Sequence, residues 1–491
     1  MLIALFMTPA LAGLLALIVH RDSLRRALLL AVAFCHLTLT AAVWLKPPVS
    51  SPSEFLGLDP LGLLFLSIVS LLFVFSAVYA AGYLKRVSDS TQPDILQGTF
   101  FARSAEAVFT CCLLEFLATM TLVTLSQHFG LLWVAVEATT LVSAPLIYFH
   151  RSLRSLEATW KYLILCSVGI AIALLGNFFL AVAATDHGGR GVPLVLRHLL
   201  AHAGELHTQW LKAAFLLFLV GYGTKMGLAP MHSWLPDAHS ESPSFVSMLL
   251  SGALLNCAFL GLLRIFQVCD AAGQGQFARD LLVLFGFISL ATAAVFILRQ
   301  SEYKRMLAYS SVEHMGILSL GVGFGGVGVF GALLHSVNHS LTKGMLFLVA
   351  GNLLSAYRTR NIGEVRGVLH VLPYSGALWL AGFLAITGTP PFGLFISEFT
   401  ILRSVVSAGS LLAAAIYLAL LGMIFAGMAA SVLNMAQGNA GLERASDAIS
   451  EPASSVIPPL LLGALTLMLG LYCPAALTEK LQQAARLLGG F

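Results

Sequence analysis

Stretches of about twenty apolar residues, the length that crosses a bilayer as a helix, recur fourteen times along this chain. They lie near 2–19, 26–45, 60–84, 106–126, 129–149, 158–184, 211–232, 244–266, 280–298, 306–326, 329–354, 372–400, 404–433 and 455–474. Hydrocarbon offers no partner to a backbone N–H or C=O, so stretches of this length satisfy their own polar groups as helices. The expected fold is an all-α polytopic membrane protein of about fourteen transmembrane helices. Only 10% of residues are charged and 58% are hydrophobic, against about a quarter charged in ordinary soluble domains. No polar, proline-rich or charge-rich linker divides the chain, so residues 1–491 are read as a single membrane domain.

Several functions are excluded at this level. The chain lacks GxxxxGK[ST] and a dinucleotide fingerprint, so it is not expected to handle ATP or NAD. A net charge of +4 with no basic run gives no footing for nucleic acid. Seven cysteines are scattered mostly inside apolar segments, none in a CxxC, and are read as small packing residues. No cofactor, iron–sulfur cluster or metal is therefore expected in this chain. The stretch MLIALFMTPALAGLLALIV has no basic residues before its apolar run and reads as a retained first span.

Four charges fall deep inside these apolar stretches: Glu137, Lys225, Lys343 and Glu398. A charge at the bilayer centre costs at least about 2.5–3.5 kcal/mol on insertion scales, so each needs a partner, water or neutralisation. Together they suggest a route for protons or ions through the membrane interior. Connections of odd number carry fifteen Lys and Arg residues, including Arg103 and Arg444, and the even ones with the tail carry nine, including Arg190 and Arg264. This asymmetry places the odd connections in the cytoplasm and both termini outside.

Two stretches read as broken. The seventh contains Gly221, Gly223, Gly227 and Pro230, and the twelfth Gly388, Pro390, Pro391 and Gly393. Proline removes a backbone donor and clashes with the preceding turn, and interrupted spans at matching places in two halves point to an inverted repeat. The expected repeats are spans 4–8, about 106–266, and spans 9–13, about 280–433.

His335, His339 and Lys343 are spaced four residues apart and share one helix face, a ladder of about 6 Å per step. Histidine donates at one ring nitrogen while accepting at the other, which suits proton hopping. Glu137 opposite Lys225 is expected to hold that lysine charged, and weakening the pair would release its proton. Glu115 reads equally as an uptake group or a satisfied interior carboxyl. His36 reads as structural, and His232, Asp237 and His239 lack the second ligand set of a metal site. Glu302, Lys304 and Arg305 read as a solvated face, and His187, His198, His202 and His207 as loop residues.

The segments GYGTKMGLAPMHSWLPDAHSESPSFVSMLLSG, YKRMLAYSSVEHMG and LLHSVNHSLTKGMLFLVAGN carry a resemblance. Over nearly its full length the chain resembles the antiporter-like subunits shared by respiratory complex I, Mrp-type cation/proton antiporters and membrane-bound hydrogenases. The resemblance implies fourteen helices, two inverted five-helix repeats and broken helices seven and twelve. By it, Glu137 and Lys225 match the family's glutamate–lysine pair, His335, His339 and Lys343 its central relay, and Glu398 its terminal group. One departure stands out: Asn256 occupies the place of a central lysine in the eighth span. Asparagine positions water but holds no proton, so either water bridges Lys225 to the histidines or translocation differs here or is lost.

VEATT and SSVEHMG, with Glu313 beside His314 as further relay candidates, look most like component F of hydrogenase-4 and formate hydrogenlyase-like complexes. The resemblance implies a proton-translocating subunit in a bacterial-type inner membrane, partnered by other antiporter-like subunits and a soluble redox arm. Nickel–iron and iron–sulfur centres would sit on those partners. The alternatives are a sodium/proton antiporter subunit of Mrp type and a membrane scaffold for a soluble partner. Residues 475–491 alone follow the last span, so the long lateral helix of the largest complex I members is not expected.

Overall fold

A computed structural model describes residues 1–46, 53–89, 105–185, 191–438 and 451–490. The chain runs through α1 (Leu2–Ile18), α2 (Asp22–Leu45), α3 (Pro60–Asp89), α4 (Ala105–Leu125), α5 (Phe129–Ile147) and α6 (Leu153–Ala183). It continues through α7 (Thr208–Met226), α8 (Trp234–Glu241), α9 (Ser244–Ala271), α10 (Gly275–Ile297), α11 (Tyr303–Phe324) and α12 (Val327–Tyr357). It closes with α13 (Pro373–Ile386), α14 (Gly393–Ser407), α15 (Leu411–Ala436), α16 (Ala453–Leu471) and the amphipathic α17 (Ala475–Arg486). Among the described residues nine helices are long and apolar enough to cross a membrane. Arg103, His187, Arg190 and Arg444 lie outside the described residues.

Both expected breaks are present. α7 ends at Gly227, whose φ of 84° is the left-handed conformation that only glycine takes without strain. The N–H groups of Gly227 and Leu228 both close on Gly223 O at 2.9 Å. The chain then runs through Pro230 without regular helix and resumes as α8. α13 and α14 are separated in the same way by residues 387–392. Gly221 and Gly223 are not part of the break, since both lie inside α7. A Cβ on Gly221 would stand 2.6 Å from Ala173 Cβ, so this glycine serves the close approach of α6 to α7.

One continuous apolar core extends from Ala12 to Leu488, and α9, α11 and α12 lie at its centre. Every residue of α9 from Ser244 to Cys269 is buried, whereas α15 shows Leu411, Leu412 and Leu418 on its outer side. Short turns bind the helix ends. His128 Nδ1 accepts the N–H groups of Gly130 and Leu131 at the start of α5. Asp59 accepts the Gly62 N–H at 2.9 Å at the start of α3. Arg264 is not the loop residue its sequence position suggests. It lies inside α9, is 2% exposed and holds Asp59 through two bonds of 2.6 Å, because desolvating a guanidinium demands a matched carboxylate.

Candidate functional site

The site is a string of buried polar side chains in an apolar interior. In the first half, Lys225 sits in the last turn of α7 and is fully buried. Its ammonium donates to Thr140 Oγ1 at 2.8 Å and Tyr162 Oη at 2.7 Å, and lies 4.6 Å from the Tyr162 ring centroid. Tyr162 Oη in turn meets Ser143 Oγ at 2.6 Å. Glu137 does not pair with Lys225, which corrects the expected contact. Its Oε1 accepts Ser167 Oγ at 2.7 Å, and its buried Oε2 has no partner. The hydroxyls of α5 and α6 solvate the ammonium instead. Those hydroxyls carried no signal in the sequence beyond Thr140 and Ser143 lying one turn apart.

Asn256 sits midway, 1% exposed. Its Nδ2 donates to Ser340 Oγ at 2.7 Å and Gly252 O at 2.8 Å, and its Oδ1 has no partner. A turn of π-helix over Leu250–Leu254 frees this part of the α9 backbone. Ser251 and Ser311 meet at 2.8 Å beside it.

In the second half, His335, His339 and Lys343 are fully buried on one face of α12, as their spacing implies. They do not form the string alone. His314 of α11 stands between the two histidines, with its ring centroid 5.1 Å from that of His335 and 5.0 Å from that of His339. His314 Nδ1 and His335 Nε2 are 3.0 Å apart, and His335 Nδ1 lies 2.9 Å from Ser397 Oγ on α14. Neither ring nitrogen of His339 has a partner. Lys343 donates to Leu307 O at 2.6 Å and to Ser310 Oγ. Glu313 is 2% exposed, with Oε2 unpartnered.

Glu398 follows Ser397 and reaches across the break to Gly388. Gly388 has φ 63°, and a Cβ there would collide with the Glu398 carboxylate. The carboxyl also borders a cavity of about 310 Å³ whose walls include Thr387, Phe399, Tyr417 and Phe425.

The remaining candidates sit apart from this string. Glu115 is half-buried and faces Gly13 of α1. The His36 ring bridges Ser70 and Thr121 at 3.0 Å each, the structural role expected of it. Lys304 corrects the reading of a solvated face. It is fully buried and donates to Ser240 O at 3.2 Å and Ser242 O at 2.6 Å, closing the carbonyl end of α8. Around it Arg305 and Lys161 pair with Asp237, Arg360 pairs with Glu241, and Ser240 donates to Glu302. Lys161, Asp237, Glu241, Glu302 and Arg305 wall a polar cavity of about 260 Å³ at the ends of α6 and α8. His239, on α8, stacks on Phe347 at 5.0 Å with both ring nitrogens unpartnered.

A helical membrane domain threaded by buried lysines, histidines and carboxylates is the architecture of an ion-translocating subunit. The family described as NADH:quinone oxidoreductase/Mrp antiporter, transmembrane region, matches residues 126–425, and the chain belongs to it. The hydrogenase-4 component F homolog of Methylacidiphilum infernorum (isolate V4) is 34% identical over 461 residues, covering 93% of both chains. The fold matches a chain of the membrane-bound sulfane sulfur reductase, an archaeal respiratory membrane complex, with TM-score 0.85 at 19% identity over 100% of this chain and 98% of that one. It also matches a chain of respiratory complex I from Thermus thermophilus, with TM-score 0.80 at 24% identity over the whole of both. The protein is thus an antiporter-like, multi-pass membrane subunit.

Proposed function

We propose that this chain translocates protons as a subunit of a hydrogenase-4-like or complex I-like oxidoreductase, driven by redox chemistry on partner subunits. The observation that carries this is the three-histidine string. His339, His314 and His335 stand in sequence beside Lys343 and end 2.9 Å from Ser397, the neighbour of Glu398. Imidazoles in contact pass a proton by alternating donor and acceptor nitrogens. The nickel–iron and iron–sulfur centres belong to the partners in this reading, as does the energy. One charge moved against 150–200 mV costs about 3.5–4.6 kcal/mol.

The reading includes fourteen spans in an inner membrane, with both termini outside and spans 4–8 and 9–13 as inverted repeats. Support comes from the two breaks and from their charges, Lys225 and Glu398. In such a pairing the fifth span matches the tenth, and each carries a buried or partly buried glutamate, Glu137 and Glu313. Arg154, Arg305 and Arg360, all from connections read as cytoplasmic, belong to one cluster beside α8. The Asn256–Ser340 contact joins the halves through groups that hydrogen-bond but hold no proton at neutral pH, so water completes the path there. The test is proton translocation per turnover by the complex in sealed vesicles. His335→Ala with His339→Ala should abolish it while assembly survives. Undiminished translocation would favour a scaffold role.

A further inference from the structure

No metal is expected from the sequence of this chain, yet three ligand-bearing side chains from three helices converge in its second half. One atom each of His314, His335 and Glu398 lie within 4.8 Å of one another. We propose that these residues form a site for a divalent transition-metal ion of borderline softness, with zinc as the type.

The geometry is close to what such an ion needs. His314 Nδ1 and His335 Nε2 already face each other at 3.0 Å. Two nitrogens at 2.0–2.1 Å from a tetrahedral centre stand about 3.3 Å apart, so a small rotation of either ring admits the ion. Glu398 is 8% exposed, and its buried Oε1 has no hydrogen-bond partner, although it belongs to a carboxyl that accepts strongly. His335 is held from behind, since its other nitrogen lies 2.9 Å from Ser397 Oγ, and such outer contacts fix a ligating ring. Two imidazoles and one carboxylate make the donor set of zinc sites that keep a fourth position for water. Of the three ligands, Glu398 borders the cavity shared with Tyr417. Imidazole nitrogen selects zinc, copper, nickel or iron over sodium, magnesium and calcium.

A bound ion occupies the space through which His314 and His335 contact each other. Occupancy therefore cuts the histidine string and stops proton transfer, a consequence that rests on the relay proposed above. The binding itself does not depend on that relay.

The test uses the full chain in detergent, stripped with chelator and titrated with Co²⁺ as the probe. The partly exposed His198 and the exposed His202 are first replaced (H198A/H202A) to remove adventitious surface binding. One equivalent of Co²⁺ should bind with the intense visible bands of four- or five-coordination. Adding H335A or E398Q should each weaken binding by more than about tenfold, since loss of an outer contact alone costs 10- to 100-fold. Unaltered melting temperatures confirm that these variants are folded, and H335Q replaces H335A if the latter is not. No visible bands in the H198A/H202A background, or bands that persist unchanged in either added variant, would overturn the site. Zinc binding that leaves vesicle proton translocation undiminished would overturn the relay reading and leave the site standing.

Discussion

His314 Nδ1 stands 3.0 Å from Nε2 of His335, although the two residues belong to different helices and neither is within reach of solvent. This contact makes α11 part of the string that α12 presents. His314→Ala should therefore interrupt transfer as completely as the loss of His335. Proton-relay groups contribute about 10²–10⁴-fold, so translocation per turnover should fall at least about tenfold with the complex intact. Normal pumping by His314→Ala would mean that protons take another path.

Lys225 is solvated by Thr140 and Tyr162 and not by direct contact with Glu137. Lys225→Met should abolish translocation and leave folding largely intact, because the Tyr162 hydroxyl keeps Ser143 as a partner. Tyr162→Phe keeps the lysine but removes one hydrogen bond to a charged group, worth about 1.5–3 kcal/mol. It should lower the melting temperature and reduce pumping less than Lys225→Met. Vesicle pumping and thermal unfolding, measured on the same preparations, separate the two effects.

Glu398 depends on Gly388 for its position. Gly388→Ala places a methyl against the carboxylate and forces alanine into a left-handed conformation that costs about 1–2 kcal/mol. Glu398→Gln cannot titrate at that position and should lose pumping, and we expect Gly388→Ala to reproduce that loss with no change in the number of titratable groups. Glu398→Asp should retain part of the activity. Translocation per turnover ranks the three variants, and a fully active Gly388→Ala would show that the carboxyl's position is not critical.

Asp59 supplies a pH dependence outside the spans. Burial alone would push its carboxyl up, but the charge and hydrogen bonds of Arg264 outweigh this and hold it below the usual carboxylate range. A folded value below the unfolded one, about 3.9, means that the pair stabilises the fold above that pH. The contribution is lost as the pH falls through the folded value. Asp59→Asn should cost about 3 kcal/mol at neutral pH, the lower end for a broken buried pair because the Asp59 side chain is 25% exposed. Melting temperatures in detergent between about pH 5 and about pH 3 should fall more steeply for the parent than for the variant.

Lys304 offers a control on the ion-pair cluster beside α8. Lys304→Met leaves the carbonyls of Ser240 and Ser242 without their charged donor, which costs about 1–3 kcal/mol. The melting temperature should fall. If it does not, the lysine is not closing α8.

Much of this protein follows from the sequence by itself, because the causes are local. Runs of apolar residues have one way to satisfy their backbone in lipid, so helices follow from length alone. Gly227 with Pro230, and Gly388 with Pro390 and Pro391, interrupt helices by their own stereochemistry. The four-residue spacing of His335, His339 and Lys343 puts them on one face whatever surrounds them. The tertiary structure decided the rest, where the cause is a neighbour distant in the chain. Packing of α11 on α12 puts His314 between two histidines of the other helix. The hydroxyls of α5 and α6 take the place at Lys225 that the sequence assigned to Glu137. Lys304 and Arg264, which look like loop charges, are buried because the end of α8 and Asp59 present the acceptors that make their burial tolerable. Spacing along a helix reveals which face a side chain occupies. Only the packed bundle determines what that face meets, and for a buried charge the identity of that partner sets both its energy and its chemistry.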